Sequence, residues 1–211
     1  AEYSTLSVIF GESGVGKTRI LLELVKRYQP EGMICLLERC TKENALVPYR
    51  ALISLLDKYF EDNPSSIAPI RDNLPAEQME ALRKVVKRLS EFGMIEGTPD
   101  SKEARLALYQ GLLNLLVFLS EKQPLLLLFD EFDNVDPGTM EVVKGLLTLE
   151  KGRTSVVGAV APKNVDDRFR AFLAEMDPHD HFRRVELPSL DRSETTTMIS
   201  AILSGRAPSE A

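Results

Sequence analysis

The sequence predicts an α/β fold, an open parallel sheet with helices on both faces. Short apolar runs of strand length alternate with amphipathic helical stretches along the 211 residues. A glycine-rich segment joins the first strand to the first helix, and a later apolar run, Leu125 to Phe129, ends in two acids. Strands separated by helices pair in parallel through crossovers, and ligands of such sheets sit at the strands' carboxyl ends.

Ser7 to Phe10 form the first strand, and the first helix runs from Lys17 to about Tyr28 with apolar residues at Ile20, Leu21, Leu24 and Val25. Gln29-Pro30-Glu31-Gly32 is a turn, and Met33 to Leu37 the second strand. Pro48 opens a helix to Phe60 whose stripe is Leu52, Ile53, Leu55, Leu56 and Tyr59. Glu61 to Pro75 breaks the pattern, Ala76 to Phe92 resumes it as one charged helix, and Gly93 to Asp100 reads as a loop. Ser101 caps a long leucine-rich helix to about Glu121, with half of a capping box. The run "LLLLFDEFDNVDPGTM" begins at Leu125 as a buried strand; Asp136 and Pro137 are the N-cap and first residue of a helix to Leu149. Thr154 to Ala161, Val165 to Met176, Phe182 to Leu187 and Asp191 to Leu203 complete the series as strand, helix, strand, helix. No internal repeat or low-complexity segment occurs.

Gly11, Gly16, Lys17 and Thr18 fill every fixed position of G-x-x-x-x-G-K-[ST], the phosphate-binding (Walker A) loop, in the strand-to-helix setting that motif requires. Gly11, Gly14 and Gly16 allow positive φ and close approach, so that consecutive N–H groups point into one concavity suited to an anion. The expected binding residues are Gly11, Glu12, Ser13, Gly14, Val15, Gly16, Lys17, Thr18 and Arg19. Lys17 reaches the β and γ phosphates, and the Thr18 hydroxyl ligates Mg²⁺ at the helix N-terminus. Asp130, ending the apolar strand, is the expected second metal residue (Walker B). Glu131, alternating to the other side of the strand end, is the expected group that polarises water against the γ phosphate; with Lys17 it makes the catalytic set. Lys163 and Asn164, after the fourth strand, read as a solvated loop.

A 44% hydrophobic chain of this length can bury a sizeable core. Its net charge of −6 argues against a dominant nucleic-acid surface, and no direct nucleic-acid contact is expected. No apolar run is long enough to span a membrane, and no signal peptide opens the chain, so a cytoplasmic setting is expected. Cys35 and Cys40 read as buried thiols; with His179 and His181 they lack zinc-knuckle spacing.

Taken in order, "GESGVGKTR", "ERC" (Glu38 to Cys40), "PYRALISLL" (Pro48 to Leu56), "LLLLFDEFDNVDPGTM" and "VELPSLDRSET" resemble STAND-class AAA-type ATPase domains of large bacterial signalling and transcriptional regulator proteins. The resemblance covers nearly the whole chain. It implies a P-loop NTPase three-layer sandwich with a five-stranded sheet in the order 5-1-4-3-2, binding of ATP or ADP with Mg²⁺, and a switch between closed and assembling states. It further implies a core over 1–190, a helical lid that starts at 191–211 and is mostly absent, sensor or effector domains in a longer chain, and a possible nucleotide-dependent homo-oligomer. Two departures stand out: the chain begins after the family's adenine-holding "G-R-E" stretch, and Ala161-Pro162 replaces the arginine usual after the fourth strand. The leading expectation is a signalling switch with slow hydrolysis. The alternatives are an active oligomeric ATPase with an arginine finger drawn from Arg168, Arg170, Arg183 or Arg184, a P-loop kinase, and a scaffold that does not hydrolyse. The absence of an Asn-Lys-x-Asp motif favours ATP over GTP.

Overall fold

The computed structural model describes residues 3–90, 101–149 and 151–203. The expected Gly93–Asp100 loop lies outside them. Five strands, β1 (Thr5–Phe10), β2 (Ile34–Arg39), β3 (Leu125–Asp130), β4 (Thr154–Val160) and β5 (Phe182–Glu186), form one parallel sheet in the order β2-β3-β4-β1-β5. Read from the other edge this is 5-1-4-3-2, as the resemblance implies. Between them lie α1 (Lys17–Tyr28), α2 (Arg50–Asp62), α3 (Ile67–Asn73), α4 (Ala76–Arg83), α5 (Lys102–Lys122), α6 (Pro137–Thr148) and α7 (Asp167–Met176), with α8 (Arg192–Leu203) last.

Alternation along the strands divides the interior in two, because successive strand side chains face opposite sides of the sheet. Leu125, Leu127 and Phe129 of β3, with Leu6, Val8 and Phe10 of β1, enter a large core closed by α2 through α7. Leu126 and Leu128, with Ile9 and Ala159, enter a small one closed by Leu21, Ile20, Leu24 and Val25 of α1. β3 is buried at every position, as a central strand covered on both faces should be. The three layers are therefore unequal, with α1 facing its side of the sheet opposite six helices.

Two elements differ from expectation. The helix expected over Ala76 to Phe92 stops at Arg83, and Lys87–Leu89 forms a 3₁₀ turn whose Arg88 N–H donates to Asp57 on α2. Burial of Val85, Val86 and Leu89 fixes this turn from outside the segment. Ile67–Asn73, expected to be irregular, is a helix of two turns anchored by the buried Ile70. Of the cysteines, Cys40 is buried and Cys35 half-buried on the edge strand β2; both are free thiols. No helix among the described residues is long and apolar enough to cross a membrane.

Candidate nucleotide site

The loop between β1 and α1 rises at the carboxyl end of the sheet and walls a cleft of about 1030 Å³. Gly14 (φ 84°) and Gly16 (φ 107°) occupy the left-handed region that side chains disfavour, and Gly16 is the N-cap of α1. Gly11 differs from the expectation of positive φ. Its constraint is space: a Cβ there would stand 2.8 Å from Val15 Cγ1 and 3.0 Å from the Leu187 carbonyl oxygen. Lys17 Nζ donates to the carbonyls of Gly11 (2.7 Å) and Glu12 (2.9 Å), folding its charge over the loop. Arg19, also on the cleft wall, pairs with Glu23 one turn along α1 at 2.9 Å.

α1 packs over β2, β3 and β4, with its first turn at the end of β3. There Thr18 Oγ1 donates to Asp130 Oδ2 at 2.7 Å. Two residues 112 apart in sequence, each expected to serve a metal, thus meet directly. A hydroxyl and a carboxylate are hard oxygen donors of the kind Mg²⁺ takes.

Glu131 does not continue the strand. β3 ends at Asp130, and Glu131 adopts φ 53°, a left-handed conformation unusual for a residue with a side chain. Strand alternation therefore does not aim its carboxylate; the turn does. Glu131 Oε1 accepts from Arg39 Nη2 at 2.6 Å and from Arg39 Nε at 3.1 Å, and this carboxylate raises the pKa of the Arg39 guanidinium. Arg39 was not anticipated. Its signal lay in register, since it ends β2 directly opposite Asp130.

Behind these groups, Asp133 and Asp136 are nearly inaccessible, at 3% and 1% exposure. Burial pushes the Asp133 carboxyl above the usual aspartate range, against hydrogen bonds from its own N–H, the Ala161 N–H and Asn164. Asp136 is the expected N-cap of α6, accepting from the Thr139 N–H (2.8 Å) and hydroxyl (2.7 Å). It also accepts from the N–H groups of Tyr49 and Ala51, at the N-terminus of α2. Tyr49 holds φ 62°, and its ring lies so close to Gly138 that a Cβ there would meet it at 2.8 Å. The "ERC" and "PYRAL" segments are joined in the same region, where Glu38 accepts from Ser54 (2.9 Å) and Lys58 on α2. Lys163 is solvated as expected, its side chain 79% exposed, and it pairs with Glu12 of the phosphate loop at 2.8 Å.

The arginine-finger candidates lie elsewhere. Arg168 and Arg170 sit on α7 with Asp166 and Asp167, while Arg183 and Arg184 sit on β5, the latter stacked 4.2 Å over the Phe10 ring.

A parallel sheet in this order, with a glycine-rich loop after β1 and an acid closing β3, defines a P-loop nucleoside triphosphatase fold. The family model for the AAA ATPase domain matches residues 2–160, and the chain belongs to that family. Among solved structures it is similar to the Aeropyrum pernix ORC2 protein, determined as ADPNP and ADP complexes, with 17% identity and a TM-score of 0.51 over 95% of this chain and 46% of that one. A HORMA:CdnC:Trip13 complex from Escherichia coli MS115-1 aligns at 10% identity and a TM-score of 0.46 over 97% of this chain and 55% of that one. The chain thus spans about half the length of the structures it matches. No curated protein sequence matches it significantly.

Proposed function

We propose that this domain binds ATP with Mg²⁺ and acts as a nucleotide-dependent switch with slow hydrolysis, of the STAND kind its motifs resemble. The observation that carries the slow step is the ion pair between Arg39 and Glu131. In this reading Glu131 is the group that accepts a proton from the attacking water. While Arg39 holds Glu131 Oε1 through two N–H groups, that oxygen is not available to orient a water, so turnover waits on release of that pair.

Binding rests on the loop. The positive φ at Gly14 and Gly16 leaves backbone N–H groups free to converge on a phosphate. Lys17 can exchange its two carbonyl acceptors for β and γ phosphate oxygens, a charge-assisted contact of greater strength. Thr18 and Asp130 are the residues that would hold Mg²⁺, which supplies neutralisation of charge between the β and γ phosphates. The nucleotide complexes of the Aeropyrum pernix protein bring ATP and ADP to this chain as part of the same proposal. In a switch the useful output is the difference between nucleotide states, transmitted to further domains or to a second copy.

Titration calorimetry with ATP and ADP, each with and without Mg²⁺, followed by single-turnover phosphate release from the parent and Glu131→Gln, tests this reading. Mg²⁺-dependent binding with slow release, slowed further in the variant, is the expected result. Failure to bind either nucleotide refutes the binding role. Equal release by parent and variant removes Glu131 from the reaction, and release that climbs steeply with protein concentration favours an oligomeric ATPase instead.

A further inference from the structure

The two edges of the sheet are finished differently. β5 carries Arg183, Arg184 and Glu186 exposed, and charges of this kind keep an open edge from pairing with another chain. β2 has no such guard over Ile34 to Leu37, apolar residues in a row that lie half-buried. Among the described residues it pairs with β3 alone. The Ile34 N–H donates to the Pro124 carbonyl and the Cys40 N–H to the Asp130 carbonyl, both at 2.9 Å, so every second residue from Ile34 turns its main chain toward β3. Cys35 and Leu37 turn theirs outward. They line a groove of about 540 Å³, walled by Met33 on the α1 side and by Leu55 and Tyr59 of α2 on the other.

One end of this groove is electronegative. Gln29, Asn63 and Gln123 line it, the C-caps of α1, α2 and α5, so three helix C-termini bring their negative dipole ends together beside the Asp62 carboxylate. The basic residues in the last turns of α1 and α5 lean along their own helices: Lys26 pairs with Glu23, Arg27 lies over the Tyr28 ring, and Lys122 lies over the Phe118 ring. That end of the groove therefore attracts a cation from outside. We infer that the β2 edge is a docking site for an extended segment of a partner polypeptide, which adds to the sheet as a sixth strand and places a lysine or arginine among the C-termini of α1, α2 and α5. A second folded copy does not suit this edge. Its six residues span roughly 20 Å and, at a thickness of roughly 10 Å, cover roughly 200 Å² per partner, against roughly 800 Å² in a stable complex of folded proteins. A lone strand in a groove draws its affinity from main-chain hydrogen bonds and its selectivity from alternate side chains.

Random decapeptides displayed on phage, panned against the parent chain, supply the probe; enriched peptides are synthesised for calorimetry and for amide exchange followed by NMR. They are expected to carry Lys or Arg at one end of a run with alternating apolar residues. Binding should slow exchange of the Cys35 and Leu37 amides and leave those of Ile34 and Leu36, already turned to β3, as they were. Asp62→Lys, an exposed change that suits the end of a helix and should fold as the parent does, is expected to weaken binding about tenfold, as is glutamate in place of the peptide's cation. Methylating alternate amide nitrogens of the peptide should abolish binding, because a strand cannot add without them. Panning that enriches nothing overturns the inference, and so do peptides that protect other amides or bind Asp62→Lys as tightly as the parent. Ultracentrifugation of the parent alone covers the remaining occupant: a dimer with Cys35 and Leu37 protected in the absence of peptide would assign the edge to a second copy and overturn the inference as well.

Discussion

Removing the Asp136 carboxylate should cost more stability than any other single polar truncation in the carboxyl-end machinery. Its two oxygens accept from the N–H groups of Tyr49, Ala51 and Thr139 and from the Thr139 hydroxyl, at a site 1% exposed. Losing the cap of α6 alone costs about 1 kcal/mol. The donors at the N-terminus of α2 add about 1–3 kcal/mol each if they stay buried and unpaired, less where water enters the vacated space. The sum for Asp136→Ala is about 3–7 kcal/mol, toward the lower end where water enters, or a fall in Tm on the order of 10 °C for a chain of this size. Asp136→Asn keeps one acceptor oxygen and should lose about 1–2 kcal/mol. Because the sequence contains no tryptophan, urea unfolding is followed by circular dichroism, with the midpoint and slope fitted for parent and both variants. A loss below about 1 kcal/mol for Asp136→Ala would refute the claim that one carboxylate closes two helices.

Lys17→Ala should lower ATP affinity by about two orders of magnitude, since the charge facing two phosphates is removed; unchanged affinity in calorimetry would sink the loop assignment. Arg39→Ala should raise phosphate release by freeing Glu131, whereas a fall would mean that the guanidinium orients that carboxylate for the water. Gly11→Ala should destabilise the fold by about 1–3 kcal/mol through overpacking against Val15 and the Leu187 carbonyl, and parental stability would show that the strand end has room to relax. For Asp133, burial raises the folded pKa, so above the ordinary aspartate value of about 4 the folded chain keeps a proton that the unfolded chain gives up. Its contribution is full below that window and is lost as pH rises through it. Asp133→Asn, neutral throughout, should gain stability relative to the parent as pH rises above about 4, and a pH-independent difference would refute this account.

Periodicity was enough to place the sheet and most helices, because β3 and α5 carry their own burial pattern along the chain. It failed where a neighbour sets the structure. Val85 and Val86 continue the apolar rhythm of α4, yet they turn inward because Asp57 on α2 captures the following N–H. α3 is too short for a period to show between Pro64 and Pro75. In the site, the phosphate loop and Asp130 were legible since spacing alone identifies them. Glu131 was legible as a residue and not as a geometry, for its left-handed φ cancels the alternation that would have aimed it. Arg39 and Lys163 were opaque for another reason: each acquires its partner across the fold, from β3 and from the phosphate loop respectively.

The unequal layers have a consequence for how the molecule breathes. On its side of the sheet α1 buries just Leu21 completely, whereas α5 buries eight residues. Native-state hydrogen exchange should therefore find the amides of α1 opening at lower free energy than those of β3 or α5, as a unit that detaches while the rest stays folded. The helix that carries Lys17 and Thr18 is thus held far more lightly than α5. A ligand gripped by these two residues adds its own binding energy to that weak attachment, so its arrival should register as slowed exchange along α1 before any change in overall shape.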